Sequence, residues 1–217
     1  TRGLVVKILI TNDDSISAKQ LLPLIKYCRK YGEVTVSVPK YEQSGKSHGI
    51  ELHEAFSVQK QIIDGDIQAY VVDSTPADCV RFAVLGLGIK FDMVISGVNR
   101  GFNMGTDVTY SGTIAGVREA MLQNIPAIAL STSPENYPNA VKDLDMVFDY
   151  ILGKKLLEKH GDKVRFAFCS LARRSDTVDK HRDEHRDYNL HNYLAHYKQG
   201  RQKGMFCITL YVFCKFF

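Results

Sequence analysis

Short β-branched apolar runs alternate along this chain with stretches in which apolar residues return to one helical face. The run LVVKILIT at 4–11 is too short for a helix and long enough for a buried parallel strand, and it stops at Asn12-Asp13-Asp14. Leu21, Leu22, Leu24, Ile25 and Cys28 then share one face of a predicted helix, with Ser15 or Ser17 as its cap and a break at Tyr31-Gly32. EVTVSV at 33–38 predicts a second strand. Strand, helix and strand at this spacing form a βαβ crossover, which is right-handed in nearly all cases.

The alternation continues. QAYVVD at 68–73 reads as a strand, and Thr75-Pro76 supplies an N-cap and a first-position proline for a helix through Leu85. DMVIS at 92–96 is a strand, Ser111–Gln123 a helix, Ala127–Ser131 a strand and Asn139–Leu152 an amphipathic helix. Residues 42–66 look like an excursion from the core. The pattern predicts an α/β fold of three layers, a Rossmann-like, open, mostly parallel sheet with helices on both faces. In such sheets ligands sit beyond the carboxyl ends of the strands, so the loops after each strand are where chemistry is expected.

Composition narrows the class. With 217 residues and 45% hydrophobic side chains, one globular domain is expected, not a disordered chain. No apolar run reaches the roughly 18–20 residues of a spanning helix, and two aspartates fall where a signal peptide would end its apolar region; a cytoplasmic protein is expected. The net charge of +4 gives no nucleic-acid argument. It is also unevenly spread: up to Leu157 there are 16 Lys+Arg against 17 Asp+Glu, and beyond it 12 against 7. That shift divides the chain at 1–157 and 158–217. The five cysteines are scattered without a C-x-x-C, as reduced and mostly buried thiols would be.

The post-strand loops hold the unusual residues. Asp13 and Asp14 follow the first strand, and adjacent carboxylates repel unless a cation or several donors compensate. Alone, such a pair also fits a helix cap beside a solvated carboxylate. Ser44 follows the second strand and Asn99 the 92–96 strand, and both would offer neutral oxygens on the same edge. An all-oxygen set suits Mg²⁺ or Mn²⁺ better than Zn²⁺. Ser111-Gly112-Thr113 opens a helix, where free N–H groups, a small residue and two hydroxyls make an anion site.

The segments ILITNDDS, VSVPKYEQSGKS, DSTPADCV, DMVISGVNRGFNMGTDVTYSGTIAGVREA and IPAIALS, in this order, closely resemble the SurE-type 5′/3′-nucleotidases over residues 5–155. The resemblance implies a metal-dependent phosphomonoesterase that hydrolyses nucleoside 5′-monophosphates, and 3′-monophosphates in some members, to nucleoside and phosphate. It implies one divalent cation per subunit on Asp13, Asp14, Ser44 and Asn99, and a phosphate-contacting turn at Ser111, Gly112 and Thr113. Asp13, Asp14 and Asn99 are accordingly the candidate catalytic residues. A homodimer or homotetramer is implied as well, with no nucleic-acid or membrane partner. Two departures stand out. Ser15 replaces the glycine that usually follows the aspartates, a strained position if φ is positive there, and residues 158–217 lack the family's Asn-x-Asn-x-Pro-like motif and hairpin arms. The last departure keeps a non-catalytic phosphate- or nucleotide-binding module as the alternative.

Other motifs fall away. Gly45-Lys46-Ser47 lacks the first glycine of a P-loop, since position 40 is Lys40, and Gly86-Leu87-Gly88 lacks the third glycine of a dinucleotide fingerprint. His181 to His185 spells H-x-x-E-H inside a highly charged stretch without apolar periodicity. The terminal GMFCITLYVFCKFF is too short to span a bilayer and reads as an added strand or a sticky end.

Overall fold

The computed structural model describes residues 5–153, 155 and 157, together with the backbone of strands 165–171, 195–197 and 207–212. Nine strands among them form one sheet: β1 (Val6–Thr11), β2 (Gly32–Pro39), β3 (Val58–Ile63), β4 (Ile67–Val72), β5 (Met93–Arg100), β6 (Ala127–Thr132), β7 (Arg165–Leu171), β8 (Ala195–Tyr197) and β9 (Cys207–Val212). Their order is β3-β4-β2-β1-β5-β6-β7-β9-β8. The six strands from β4 to β7 are parallel, while β3, β9 and β8 pair antiparallel at the two margins. Counted by appearance, the parallel strands lie in the order 3-2-1-4-5-6, which reverses direction between β1 and β5. That reversal is the topological switch point at which such sheets open a crevice.

The helices are α1 (Leu21–Cys28), α2 (Pro76–Arg81), α3 (Asp107–Tyr110), α4 (Gly112–Leu122) and α5 (Leu144–Gly153). Parallel strands covered on both faces must be apolar on both, and β1 obeys: Ile8, Leu9 and Ile10 are all fully buried. Ile8 and Ile10 join Val34, Val36, Ile95 and Leu130 under α1 and α5. Leu9, Val94, Ala127 and Ala129 face α2 and α4 through Val80, Ala83, Ile114 and Val117. The three predicted layers are therefore present. An aromatic trio ties α1 to α5, with Tyr27 edge-on to Phe148 at 5.2 Å and Tyr31 stacked on it at 5.3 Å.

Several local expectations need correction. Neither Ser15 nor Ser17 caps α1; Gln20 is its N-cap, without a side-chain bond, because the Ser15 hydroxyl is engaged in the preceding turn with the Ser17 amide. The helix begun at Thr75-Pro76 is capped as expected, Thr75 accepting from the Asp78 N–H, but after Arg81 it widens into a π turn over Phe82–Gly86. The amphipathic segment near 139 starts as a 3₁₀ turn, Tyr137–Asp143, and becomes α-helical only at Leu144. The second half of the 42–66 excursion is a strand, β3, covering the sheet edge. Cys28 and Cys79 are buried thiols. The 207–212 part of the terminal apolar run does add a strand, and the 181–185 motif lies outside the described residues. No helix among the described residues is long and apolar enough to cross a membrane.

Phe148→Ala should test how far the α1/α5 layer depends on its aromatic contacts. Truncating this fully packed ring is expected to cost about 3–5 kcal/mol in urea unfolding, and a loss under 1 kcal/mol would show that the layer is held otherwise.

Candidate active site

β1 and β5 are in register with Thr11 beside Ser96, so Asp13-Asp14, which follow β1, and Asn99-Arg100, the last residues of β5 and still paired with β6, come to the same edge at the switch point. The turn after β1 is held by the Asn12 amide, which donates to the Ser15 carbonyl at 2.9 Å. Ser15 has φ of 75°, the left-handed region that the glycine usual at this position would enter without cost. β5 continues past its expected end through an irregularity between Ser96 and Asn99 and reaches Arg100, which places both residues at the rim.

A cavity of 1130 Å³ opens there. Asp13, Asp14, Ser44, Asn99 and Ser111, far apart in sequence, all line it, joined by Glu42. Lys19, Arg100, Phe102, Tyr110 and Tyr137 form its outer wall. The expected residues are thus gathered at one site, with Gly112 and Thr113 immediately behind Asp13.

Asp13 is only 4% exposed. Its Oδ1 accepts the Thr113 hydroxyl at 2.6 Å, and the Thr113 backbone adds a further stabilising bond. The carboxylate therefore occupies the start of α4, where partial positive charge and free N–H groups gather. Desolvation by burial still outweighs these bonds and raises its pKa. This changes the part Thr113 can take: its hydroxyl proton is committed to Asp13, so Ser111 and the Gly112 N–H are what this turn offers an external anion. Ser111 caps α4 by accepting from the Ile114 N–H at 3.1 Å, and its own proton stays available. Gly112 is required by contact. A Cβ there would lie 2.8 Å from the Asp13 Cβ and 3.2 Å from the Gln43 carbonyl.

Asp14 lacks such compensation. Its Oδ2 is buried with no hydrogen-bond partner among the described residues. Burial raises its pKa to about 6, with the charges of Asp13 and Glu42 adding to the shift and the Arg100 backbone and guanidinium opposing it. The Ser44 hydroxyl donates to Glu42 Oε1 at 2.7 Å, leaving its oxygen lone pairs to accept or ligate. The Asn99 amide nitrogen is committed to the Gly101 carbonyl at 3.0 Å, so Oδ1 is its available acceptor. No cluster of three His, Cys, Asp or Glu suited to a metal exists among the described residues. A cation held here would rely on two carboxylates plus neutral oxygens, which fits a hard ion. The orphaned Asp14 oxygen and the four carboxylates that line the cavity, Asp13, Asp14, Glu42 and Asp107, supply the electrostatic reason for such an ion.

The fold and site define a Rossmann-ordered α/β protein in which a switch-point carboxylate pair faces a helix N-terminus across one cavity. The family described as Survival protein SurE matches residues 8–177, and the chain belongs to it. It is 40% identical over 151 residues to 5′-nucleotidase SurE of Clostridium beijerinckii, covering 66% of this chain and 60% of that protein. It is 44% identical over 141 residues to 5′-nucleotidase SurE of Thermosipho melanesiensis, with coverage of 63% and 55%. The crystal structure of the SurE protein from Aquifex aeolicus is similar with a TM-score of 0.62 at 25% identity, covering 95% of this chain and 82% of that one. The chain spans less than two thirds of the length of these two curated relatives.

Sequence reasoning missed Glu42 and Asp107 as further cavity carboxylates, the bond from Thr113 to Asp13, and the distant groups that fix the Ser44 loop. Glu42 was visible two residues before Ser44, but nothing in the pattern showed which way it would turn.

Two substitutions probe this geometry. Asp14→Asn removes a charge whose folded pKa, about 6, exceeds its ordinary value of 3.8, so the ionised form costs stability at pH 7, and that cost declines as pH falls below 6 and is gone near 3.8. The metal-free variant is expected to melt a few degrees above the parent at pH 7, and a lower melting temperature would contradict the analysis. Gly112→Ala is expected to push Asp13 aside and to lower the melting temperature by several degrees; an unchanged melting temperature would show that Asp13 is free to adjust.

Proposed function

We propose that this chain is a divalent-metal-dependent phosphomonoesterase that hydrolyses nucleoside 5′-monophosphates, and 3′-monophosphates as well, to nucleoside and phosphate. The observation that carries the reading is buried Asp13, set against the start of α4, beside half-buried Asp14 with its orphaned oxygen, in one cavity. Membership of the SurE family, and relatives named 5′-nucleotidase, support it.

Asp13 and Asp14, with the oxygens of Ser44 and Asn99, would hold one Mg²⁺ or Mn²⁺. That ion, when bound, supplies Lewis acidity and neutralises charge at a phosphate. The protein does the rest by position. Ser111 and the Gly112 N–H would donate to non-bridging phosphate oxygens, where charge concentrates as the ester bond breaks. Arg100 and Lys19 at the rim favour entry of an anion. Asp13, fixed by Thr113 and Gln43, cannot drift toward the substrate, so the spacing between cation and anion halves is set before binding. The cavity slightly exceeds the roughly 300–1,000 Å³ usual for small-molecule sites, enough for a nucleoside beyond the phosphate. Water attacks phosphorus in line, the P–O ester bond breaks, and the departing nucleoside oxygen takes up a proton.

Phosphate release from AMP and GMP, with Mg²⁺, with Mn²⁺ and with chelator, tests the proposal. Release is expected only with metal and is expected to fall about 10³-fold in Asp13→Asn. Release that survives chelation or this substitution would refute it. Nucleotide binding without turnover in the metal-loaded parent would establish a binding module instead.

A further inference from the structure

The segment that carries Ser44 is fastened to the site at several points. The Gln43 N–H donates to the Asp13 carbonyl at 2.8 Å, the Ser47 N–H to the Tyr110 carbonyl at 2.9 Å, and the Ser47 hydroxyl to the Thr109 carbonyl at 2.7 Å. One residue further on, His48 Nε2 lies 3.0 Å from Glu119 Oε2. Glu119 is only 2% exposed and belongs to α4, the helix whose first turn receives Asp13. Its other oxygen accepts from Gln123 at 3.0 Å and faces Arg81 at 3.4 Å. Burial alone would raise the Glu119 pKa, but the bonds from His48 and Gln123 and the charges of His48 and Arg81 leave it lowered, as expected of a working carboxylate acceptor.

We infer that Glu119 and His48 are positioning residues: the carboxylate clamps His48 to α4 and thereby fixes Ser44 and Gln43 against the aspartate pair. This rests on the proposed cation site. Its physical basis is that one rigid helix would hold both halves of the site in register, Asp13 at its first turn and the Ser44 segment two turns later.

The clamp holds the C-terminal end of the segment, at His48. The residues beyond it have separate ties, the Thr75 hydroxyl to the Gly49 carbonyl at 2.7 Å and the Glu51 N–H to Asp78 at 2.9 Å. Breaking the His48–Glu119 contact therefore removes one of the ties on 43–48, leaving the Gln43 and Ser47 bonds, without releasing the rest of the loop. A contact that merely added stability would show the opposite signature, a lower melting temperature with an unaltered site.

The test is Mn²⁺ binding measured by calorimetry on the metal-free parent, His48→Ala, His48→Gln and Glu119→Gln, with melting curves and steady-state kinetics on AMP in parallel. His48→Ala is expected to weaken Mn²⁺ binding about fivefold or more and to lower kcat, while melting within a few degrees of the parent. His48→Gln, which keeps a donor on that side chain, is expected to recover part of the affinity. Glu119→Gln retains the shape but weakens the charge-assisted bond, is expected to shift affinity in the same direction, and serves if the alanine variant does not fold. Parent affinity and kcat in a folded His48→Ala or Glu119→Gln protein would overturn the inference alone. A parent that takes up no Mn²⁺ would remove the cation site itself and this inference with it.

Discussion

The placement of one carboxylate under the first turn of α4 constrains everything around it. Burying the Asp13 charge is unfavourable, and the protein offsets it locally with the Thr113 hydroxyl and the positive end of a helix. The consequences spread outward. Gly112 must lack a Cβ, since any side chain there would strike Asp13. The Gln43 amide must reach the Asp13 carbonyl, which draws the Ser44 segment over the site. Ser15 must turn through a left-handed conformation so that the chain can leave this crowded corner and start α1. Asp14, next in sequence, cannot reach the same helix start and carries the residual imbalance.

The sheet explains why this arrangement lies where it does. Between β1 and β5 the crossovers depart in opposite directions, α1 to one face and α4 to the other. The strand ends there are left uncovered, and the loops that follow them can converge without competing for the same space. A helix entering from the β5 side then points its N-terminus back across the gap toward β1. The parallel register fixes the approach, because Thr11 and Ser96 lie side by side on adjacent strands.

Elements governed by local chemistry were legible in the sequence. The strands β1, β4 and β6 are largely apolar runs, β2 alternates valine with polar residues, and Thr75 and Ser111 are caps with a following proline or glycine; these signals need no tertiary context. β3 was not legible because an edge strand buries little: its sequence VQKQII alternates without a clear apolar face. The cap of α1 was misjudged because Ser15 offered two uses for its hydroxyl, and the φ demanded by the aspartate turn decided between them. Site residues followed the same division. Asp13, Asp14, Ser44, Asn99 and Ser111 could be gathered from topology alone, since each follows a strand or starts a helix at one edge. The commitment of Thr113 to Asp13 and the contact of His48 with Glu119 join residues 100 and 71 positions apart, and no periodicity encodes them.

The distribution of unsatisfied polarity completes the argument. Five buried side-chain atoms lack a hydrogen-bond partner among the described residues: Thr11 Oγ1, Asn12 Oδ1, Asp14 Oδ2, Ser96 Oγ and Asn136 Oδ1. Four of the five come from the ends of β1 and β5 or the turn between β1 and α1. Elsewhere the buried polar groups are paired, as Asp78 is by Ser74, Thr75 and the Glu51 amide. A fold under selection for stability alone would scatter such defects or remove them, because each costs about 1–3 kcal/mol. Of the five only Asp14 Oδ2 belongs to a residue that lines the cavity, and there a raised carboxylate stands beside a strained serine, a local destabilisation that a ligand of the cavity would relieve. A partner able to relieve it must bring positive charge and tolerate oxygen ligands, while the same rim must leave Ser111 and the Gly112 amide free for an anion. The proposed phosphate ester on a divalent ion would meet both demands, with a cation and an anion that touch each other.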